Sequence, residues 1–318
     1  MKLLIGGSPC TYWSIAQKNG REVEAEGMGW ELFRNYLIAK EKFDPDLFLY
    51  ENNKSAAQPI KDQISQALGV NLVYINSSLV SAQNRQRFYA INWDATPPED
   101  CGIVLADILE STVSRPIALN ATIDGKAKCI RASCYKDGIR NLIANTVDLR
   151  TCVAEPVTTG NWPKGVTVYK VVDGKTEING TAYKINLPDG HYVIRKLTPV
   201  ECERLQTLPD GYTSSVSNTQ RYKGLGNGWT AEVIIHLLSE GLKDVPKDEP
   251  LIVLSMYDGI GTGRYCLDKM GFTNVTYYAY EIDNPAMTVA LSNYPDIIEC
   301  GDAFDVRKDD WSISNDCT

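Results

Sequence analysis

Histidine is scarce: His191 and His236 are the only two in 318 residues, which argues against a Ser-His-Asp triad or a histidine-rich metal site. No apolar run approaches the roughly 18 residues that cross a bilayer, so no membrane partner is expected. Met1-Lys2-Leu3-Leu4-Ile5 is too short for a signal peptide, and a glycine turn follows it at once. The nine cysteines are odd in number and have no metal-ligand spacing; Cys129 and Cys134 are the closest two. They read as reduced thiols of a cytoplasmic protein, with no disulfide framework and no metal. A hydrophobic fraction of 43% and a charged fraction of 23% are ordinary for a globular protein. The length allows one large domain or two, with a real core either way.

A basic balance is missing too: the net charge is −8. It is unevenly placed, since residues 241–318 hold six Lys/Arg against fourteen Asp/Glu, while residues 111–190 hold eleven against seven. Binding to phosphate depends on where positive charge sits, so the acidity is only a weak argument against a nucleic-acid partner.

Against these absences stands Gly6-Gly7-Ser8-Pro9-Cys10, where an apolar run delivers a cysteine into a glycine turn. A strand ending so presents its side chain at the carboxyl edge of a sheet, where open α/β folds react ligands. A thiol there acts as a nucleophile if its pKa is lowered. An isolated Pro-Cys is more often a buried, inert cysteine; the company it keeps overturns that reading here. Strands are expected at 2–5, 47–50, 71–75 and 87–91, with helical spacing at 30–38 and 59–68, implying a parallel, doubly wound sheet. Pro97-Pro98-Glu99-Asp100 marks a change to short β-branched segments around 165–172 with a turn at Asp173-Gly174. This predicts a smaller, sheet-rich insert over 94–194. Helices return at 199–205 and 231–242, and a polar linker, 243–250, leads to strand 251–257. A glycine loop, a helix at 265–270 and strand 275–280 ending at Glu281 follow. That order is the nucleotide-binding half of a Rossmann-like fold.

Together with Glu51-Asn52, Gln83-Asn84-Arg85-Gln86-Arg87 and Gly224-Leu225-Gly226-Asn227-Gly228-Trp229, the Pro9-Cys10 motif resembles the DNA (cytosine-5)-methyltransferases, of bacterial or phage type. Arg195–Tyr212 is similar to the vertebrate de novo members as well. The resemblance implies a Rossmann-like α/β fold with a doubly wound mixed sheet and a sheet-rich target-recognition domain. It divides the chain into 1–93 (catalytic, first part), 94–222 (target recognition and hinge) and 223–318 (catalytic, cofactor half). The motifs that usually come first come last here, so the order looks circularly permuted, with Thr318 standing where the chain would continue into Met1.

The resemblance also implies the roles. Cys10 adds to carbon 6 of cytosine, Glu51 hydrogen-bonds ring N3, Arg87 contacts the base oxygen and orients the glutamate, and Arg85 lies at the rim. S-adenosylmethionine would be held by Tyr257, Asp258, Gly259, Ile260, Gly261, Thr262, Glu281, Ile282, Asp302, Ala303, Asn227 and Trp229. Ser14, Gln83 and Arg85 would meet the DNA. Double-stranded DNA with a flipped-out base, S-adenosylmethionine and a cognate restriction endonuclease are the implied partners of a cytoplasmic monomer. Thr11 and Asn53 depart from the usual loop residues. Methylation of tRNA by the same chemistry, or an inactive DNA-binding regulator, remain alternatives. An amino-methyltransferase fits less well, because Pro9 is followed by Cys10.

Overall fold

Side-chain alternation builds the larger sheet. Along Lys2–Gly6, Leu3 and Ile5 join one core and Leu4 another; along Leu251–Met256, Leu251 and Val253 separate from Leu254 and Met256 in the same way. Strands covered on both faces read as continuous apolar runs, as these do. The computed structural model describes the chain except 16–19, 111–115, 145–149, 159–164 and 313–318, with Arg140 described in its backbone alone; Thr318 therefore lies outside the described residues.

Seven strands lie in the order Ile298–Gly301, Val275–Tyr280, Leu251–Met256, Lys2–Gly6, Leu47–Asn53, Gln86–Ile91, Leu72–Asn76. The first five are mutually parallel. Helices Gly27–Phe43 and Gln58–Leu68 cover one face through Phe33, Tyr36, Phe43, Ile60 and Ile64. Ala231–Gly241, Thr262–Lys269 and Asn284–Asn293 cover the other through Ile234, Leu237, Leu267 and Val289. The parallel sheet read from the strand–helix alternation fails at Gln86–Ile91, which runs antiparallel to both neighbours, and the mixed sheet implied by the resemblance holds. Only the short turn Ser77–Leu79 and the two-residue strand Gln83–Asn84 separate it from Leu72–Asn76. A parallel crossover needs a dozen or more residues. The sheet is therefore mixed.

A second, six-stranded antiparallel sheet runs Thr181–Lys184, Lys175–Ile178, Val168–Val172, Gly190–Lys196, Cys152–Pro156, Ile117–Leu119. Asp173-Gly174 joins two of its strands with φ of 50° and 64°, the geometry of a type I′ hairpin turn. Leu119, Cys152, Val171, Ile178 and Ile194 form its own core. Among the described residues, three contacts bind the segments around it to the rest of the chain. Gln83–Asn84 pairs with Ala127–Lys128. Arg195 donates to Glu155 and, through both terminal nitrogens, to the fully buried Glu201 at 2.8 and 2.9 Å. Gly226 lets helix Asn218–Asn227 press on the 131–132 backbone, where a Cβ would sit 2.1 Å from the Ala132 nitrogen. Among the described residues no helix is long and apolar enough to cross a membrane.

Candidate active site

A cavity of about 490 Å³ opens where the strands of the larger sheet end, within the roughly 300–1,000 Å³ of small-molecule sites. Cys10 enters it from the turn after Lys2–Gly6, at the start of the short helical turn Cys10–Tyr12. The fully buried strand residue Tyr50 and its neighbour Asn52 hold that turn. Asn52 Nδ2 donates to the Ser8 carbonyl at 2.9 Å and to the Tyr50 hydroxyl at 3.1 Å, and Ser8 Oγ meets the same hydroxyl at 2.7 Å.

Glu51 and Arg87 meet because of register. Asn53 lies opposite Arg87 and Glu51 opposite Tyr89, so Glu51 and Arg87 are diagonal neighbours on one face, within reach for long side chains. Arg87 Nε forms an ion pair with Glu51 Oε1 at 2.8 Å. Trp229 Nε1 donates to the other oxygen, Oε2, at 3.0 Å. Arg87 Nη1 is anchored on the Gln86 carbonyl at 2.9 Å.

Burial pushes the Cys10 thiol above its ordinary pKa; Arg87 and Arg85 pull it down and Glu51 adds to the rise. A thiol of lowered pKa, expected of a ready nucleophile, is thus not what the protein holds at this position. The thiol that these arginines do lower is Cys129. Burial pushes it up as well, but the Arg85 and Arg87 guanidiniums outweigh that, and Arg85 Nη1 lies 3.3 Å from its sulfur.

The other half of the cavity follows Leu251–Met256. Tyr257 has φ of 62°, an uncommon conformation for a bulky residue that marks a constrained functional turn; its hydroxyl donates to the Leu32 carbonyl at 2.7 Å. Asp258 Oδ1 accepts from Ser255 Oγ at 2.7 Å and Tyr277 OH at 2.6 Å. Burial nevertheless raises the Asp258 carboxyl pKa. Its Oδ2 and Thr262 Oγ1 are buried with no partner among the described residues, and both residues line the cavity. Glu281 Oε2 accepts from the Gly259 amide, and Oε1 from the Ile282 and Asp283 amides, each at 2.8 Å. Asp302 caps the turn Ala303–Arg307 by accepting from the Phe304 amide.

Of the residues singled out in the sequence, Cys10, Glu51, Arg85, Arg87, Asn227, Trp229, Tyr257, Asp258, Gly259, Ile260, Thr262, Glu281, Ile282, Asp302 and Ala303 all line this one cavity. Gly261 lies just behind it, capping helix Thr262–Lys269. Ser14 is half-buried beyond the Cys10 turn, its amide on the Cys10 carbonyl at 2.9 Å. Gln83, expected at a DNA surface, is instead fully buried; its amide donates to Leu205 and Gln206 and accepts from Ile130. Arg85 is a brace as well: it is 3% exposed, and its terminal nitrogens donate to the carbonyls of Ile130, Gly226 and Gly228. Sequence reading missed the ion pair of Lys223 with Asp283 at 2.8 Å on the cavity wall. It also missed Gln206, which donates to the Leu225 and Gly228 carbonyls. Neither carries a local signal, since each acts on a segment distant in sequence.

The chain is similar in sequence to known methyltransferases. The Type II methyltransferase M.Sau3AI of Staphylococcus aureus is 26% identical over 241 residues, covering 70% of this chain and 55% of that protein. The Type II methyltransferase M1.ScrFI of Lactococcus lactis subsp. cremoris is 24% identical over 270 residues, covering 76% and 62%. The orphan methyltransferase M.Phi3TI of Bacillus phage phi3T is 36% identical over 73 residues, covering 19% of this chain and 16% of that protein. The chain thus spans less than two thirds of the length of the first two relatives. The family model for C-5 cytosine-specific DNA methylase matches residues 1–243. With that match spanning the thiol turn, the Glu51–Arg87 pair and the Gly228-Trp229 segment, the chain belongs to the C-5 cytosine-specific DNA methylase family.

Proposed function

We propose that this protein methylates carbon 5 of a flipped-out cytosine in double-stranded DNA, using S-adenosylmethionine. The convergence of the Cys10 turn, the Glu51–Arg87 pair and the Asp258–Glu281 loop on one cavity carries the proposal. Cys10 is the nucleophile that adds to carbon 6 of the ring. Glu51 binds ring N3, where a carboxyl group assists the addition, and Arg87 holds Glu51 while facing the base oxygen. Burial raises the Cys10 pKa, so the thiol gives its proton to solvent as its sulfur bonds to carbon 6, with the Arg87 and Arg85 charges favouring the thiolate; after carbon 5 takes the methyl group, loss of its proton to water breaks the carbon–sulfur bond and frees the thiol. Carbons 5 and 6 lie inside the duplex stack, so the base must leave it. Ser14, beside the thiol turn, is the phosphate contact of this reading.

The cavity fits the methyl donor. Unpartnered Asp258 Oδ2 and Thr262 Oγ1 offer polar contacts. Glu281 offers a carboxylate, while Ile260, Ala286 and the exposed Ile282 offer apolar walls. Asp302, Ala303, Asn227 and Trp229 complete the enclosure. When bound, S-adenosylmethionine supplies an electrophilic methyl group.

The division into 1–93, 94–222 and 223–318, with the middle part reading the target, belongs to the same proposal; the separate core of the six-stranded sheet supports it. Circular permutation is part of the same proposal. The family match ends at 243, while Leu251–Met256 lies beside Lys2–Gly6 in the same sheet. A cytoplasmic monomer partnered with a restriction endonuclease completes the proposal; that the first two relatives are both Type II methyltransferases supports the partnership. Bisulfite sequencing of DNA from cells expressing the protein tests the reading: protected cytosines in a recurring sequence are expected, and fully converted DNA would refute it.

A further inference from the structure

We infer that Trp229 is a positioning residue for Glu51: its indole N–H fixes the plane in which the carboxyl group meets the target base. The inference rests on the proposed cytosine chemistry. The terminal torsion of a glutamate is broad, so one partner leaves the carboxyl group free to swing. Arg87 Nε holds Oε1 by an ion pair at 2.8 Å, which is not directional, while Trp229 Nε1 donates a hydrogen bond to Oε2 at 3.0 Å. The indole bond takes one of about four lone-pair sites, and the group, 12% exposed, faces the cavity with the rest. An indole suits this task because it only donates and carries no charge. A second cation in its place would favour the carboxylate form and work against protonation or strong hydrogen bonding at ring N3.

The surroundings hold Trp229 to the task from both sides in sequence. The Gly228 carbonyl accepts from Arg85 Nη2 at 2.8 Å and from Gln206 Nε2 at 3.1 Å. Thr230 Oγ1 donates to Gln206 Oε1 at 2.9 Å and meets Ser77 Oγ at 2.8 Å. Opposite, Gly7 leaves the space open: a Cβ there would lie 2.8 Å from the Glu51 carbonyl oxygen, 3.1 Å from Glu51 Oε2 and 3.5 Å from Trp229 Nε1. The buried brace of Arg85 and Gln206 thus reaches the reacting base through Trp229.

Two variants of the full chain test this: Trp229→Phe, and replacement of Trp229 by 3-benzothienylalanine, in which sulfur takes the place of the indole N–H. The second keeps the ring's size and packing, so it stays informative if the first fails to fold. Loss of one hydrogen bond to an ionisable carboxyl group should lower kcat by about ten- to a hundredfold. In the isosteric variant, whose ring still walls the cofactor cavity, the KM for DNA and the Kd for S-adenosylmethionine, by calorimetry, should stay within about threefold. A kcat within threefold of wild type for the isosteric variant would overturn the inference. So would a Kd that weakens in step with kcat, because Trp229 would then serve the cofactor. A wild-type protein without cytosine methylation would overturn the underlying reading of the reaction instead.

Discussion

Asn52 donates from its side-chain amide to the Ser8 carbonyl at 2.9 Å, so the strand that carries Glu51 also fixes the turn that carries Cys10. Thiol and acid are held in one frame before any substrate arrives. Asn52→Ala should therefore slow methylation more than it weakens binding. The bond is buried, and an orphaned carbonyl costs about 1–3 kcal/mol. A fall in kcat of at least tenfold, with DNA affinity within a few-fold, is expected from steady-state kinetics. Unchanged kcat would show that the turn holds its shape without Asn52.

Cys10→Ala should abolish methyl transfer while DNA and S-adenosylmethionine still bind, since only the covalent step is removed. DNA carrying 5-fluorocytosine should trap the wild-type protein as an adduct that survives denaturing electrophoresis, because carbon 5 then has no proton to lose. Turnover by the alanine variant would end the assignment of Cys10.

The raised Cys10 pKa sets a pH dependence whose sign is fixed. At neutral pH the free protein holds a neutral thiol, and the reactive thiolate grows as pH rises. Alkylation of Cys10 by iodoacetamide, followed by peptide mass spectrometry, should accelerate steadily from pH 7 to 9 without a plateau. Arg87→Gln removes a charge that pulls the thiol down, so alkylation at pH 8 should slow further. A plateau below pH 7 in the wild type would contradict the burial argument.

Glu281→Ala should weaken S-adenosylmethionine binding by roughly ten- to a hundredfold, or about 1.5–3 kcal/mol for a charge-assisted bond. The loss includes loop order, since the same carboxylate holds the Gly259, Ile282 and Asp283 amides. Asp258→Asn is the sharper probe: Oδ1 can still accept from Ser255 and Tyr277, while unpartnered Oδ2 becomes a donor. Calorimetry should show weaker cofactor binding with little change in Tm. Unaltered affinity in both variants would mean the loop has another occupant.

Replacing residues 94–194 by the matching segment of a relative with known target should transfer that target. Single Lys or Arg losses there should divide into two kinds: weaker binding to all DNA with a flatter salt dependence, or a relaxed target at about 1–3 kcal/mol per base pair. A hybrid that keeps the original sites would move specificity to 213–223.

Much of this protein was legible before any coordinates. Continuous apolar runs at 2–5 and 251–257 marked strands buried on both faces, Asp173-Gly174 marked a turn, and Pro9-Cys10, Glu51 and the Asp258–Gly263 loop stood out as segments that meet at one cavity, because such signals sit in adjacent residues. Tertiary structure decided what depends on segments far apart. It turned Gln86–Ile91 antiparallel, because the connection before it is too short to cross over. It buried Gln83 and Arg85 as braces, since carbonyls of 130, 205, 226 and 228 converge on them only in the fold. It also raised the Cys10 thiol while lowering that of Cys129. Burial and distance to the arginines set a thiol's acidity, and neither is written in the residues beside it.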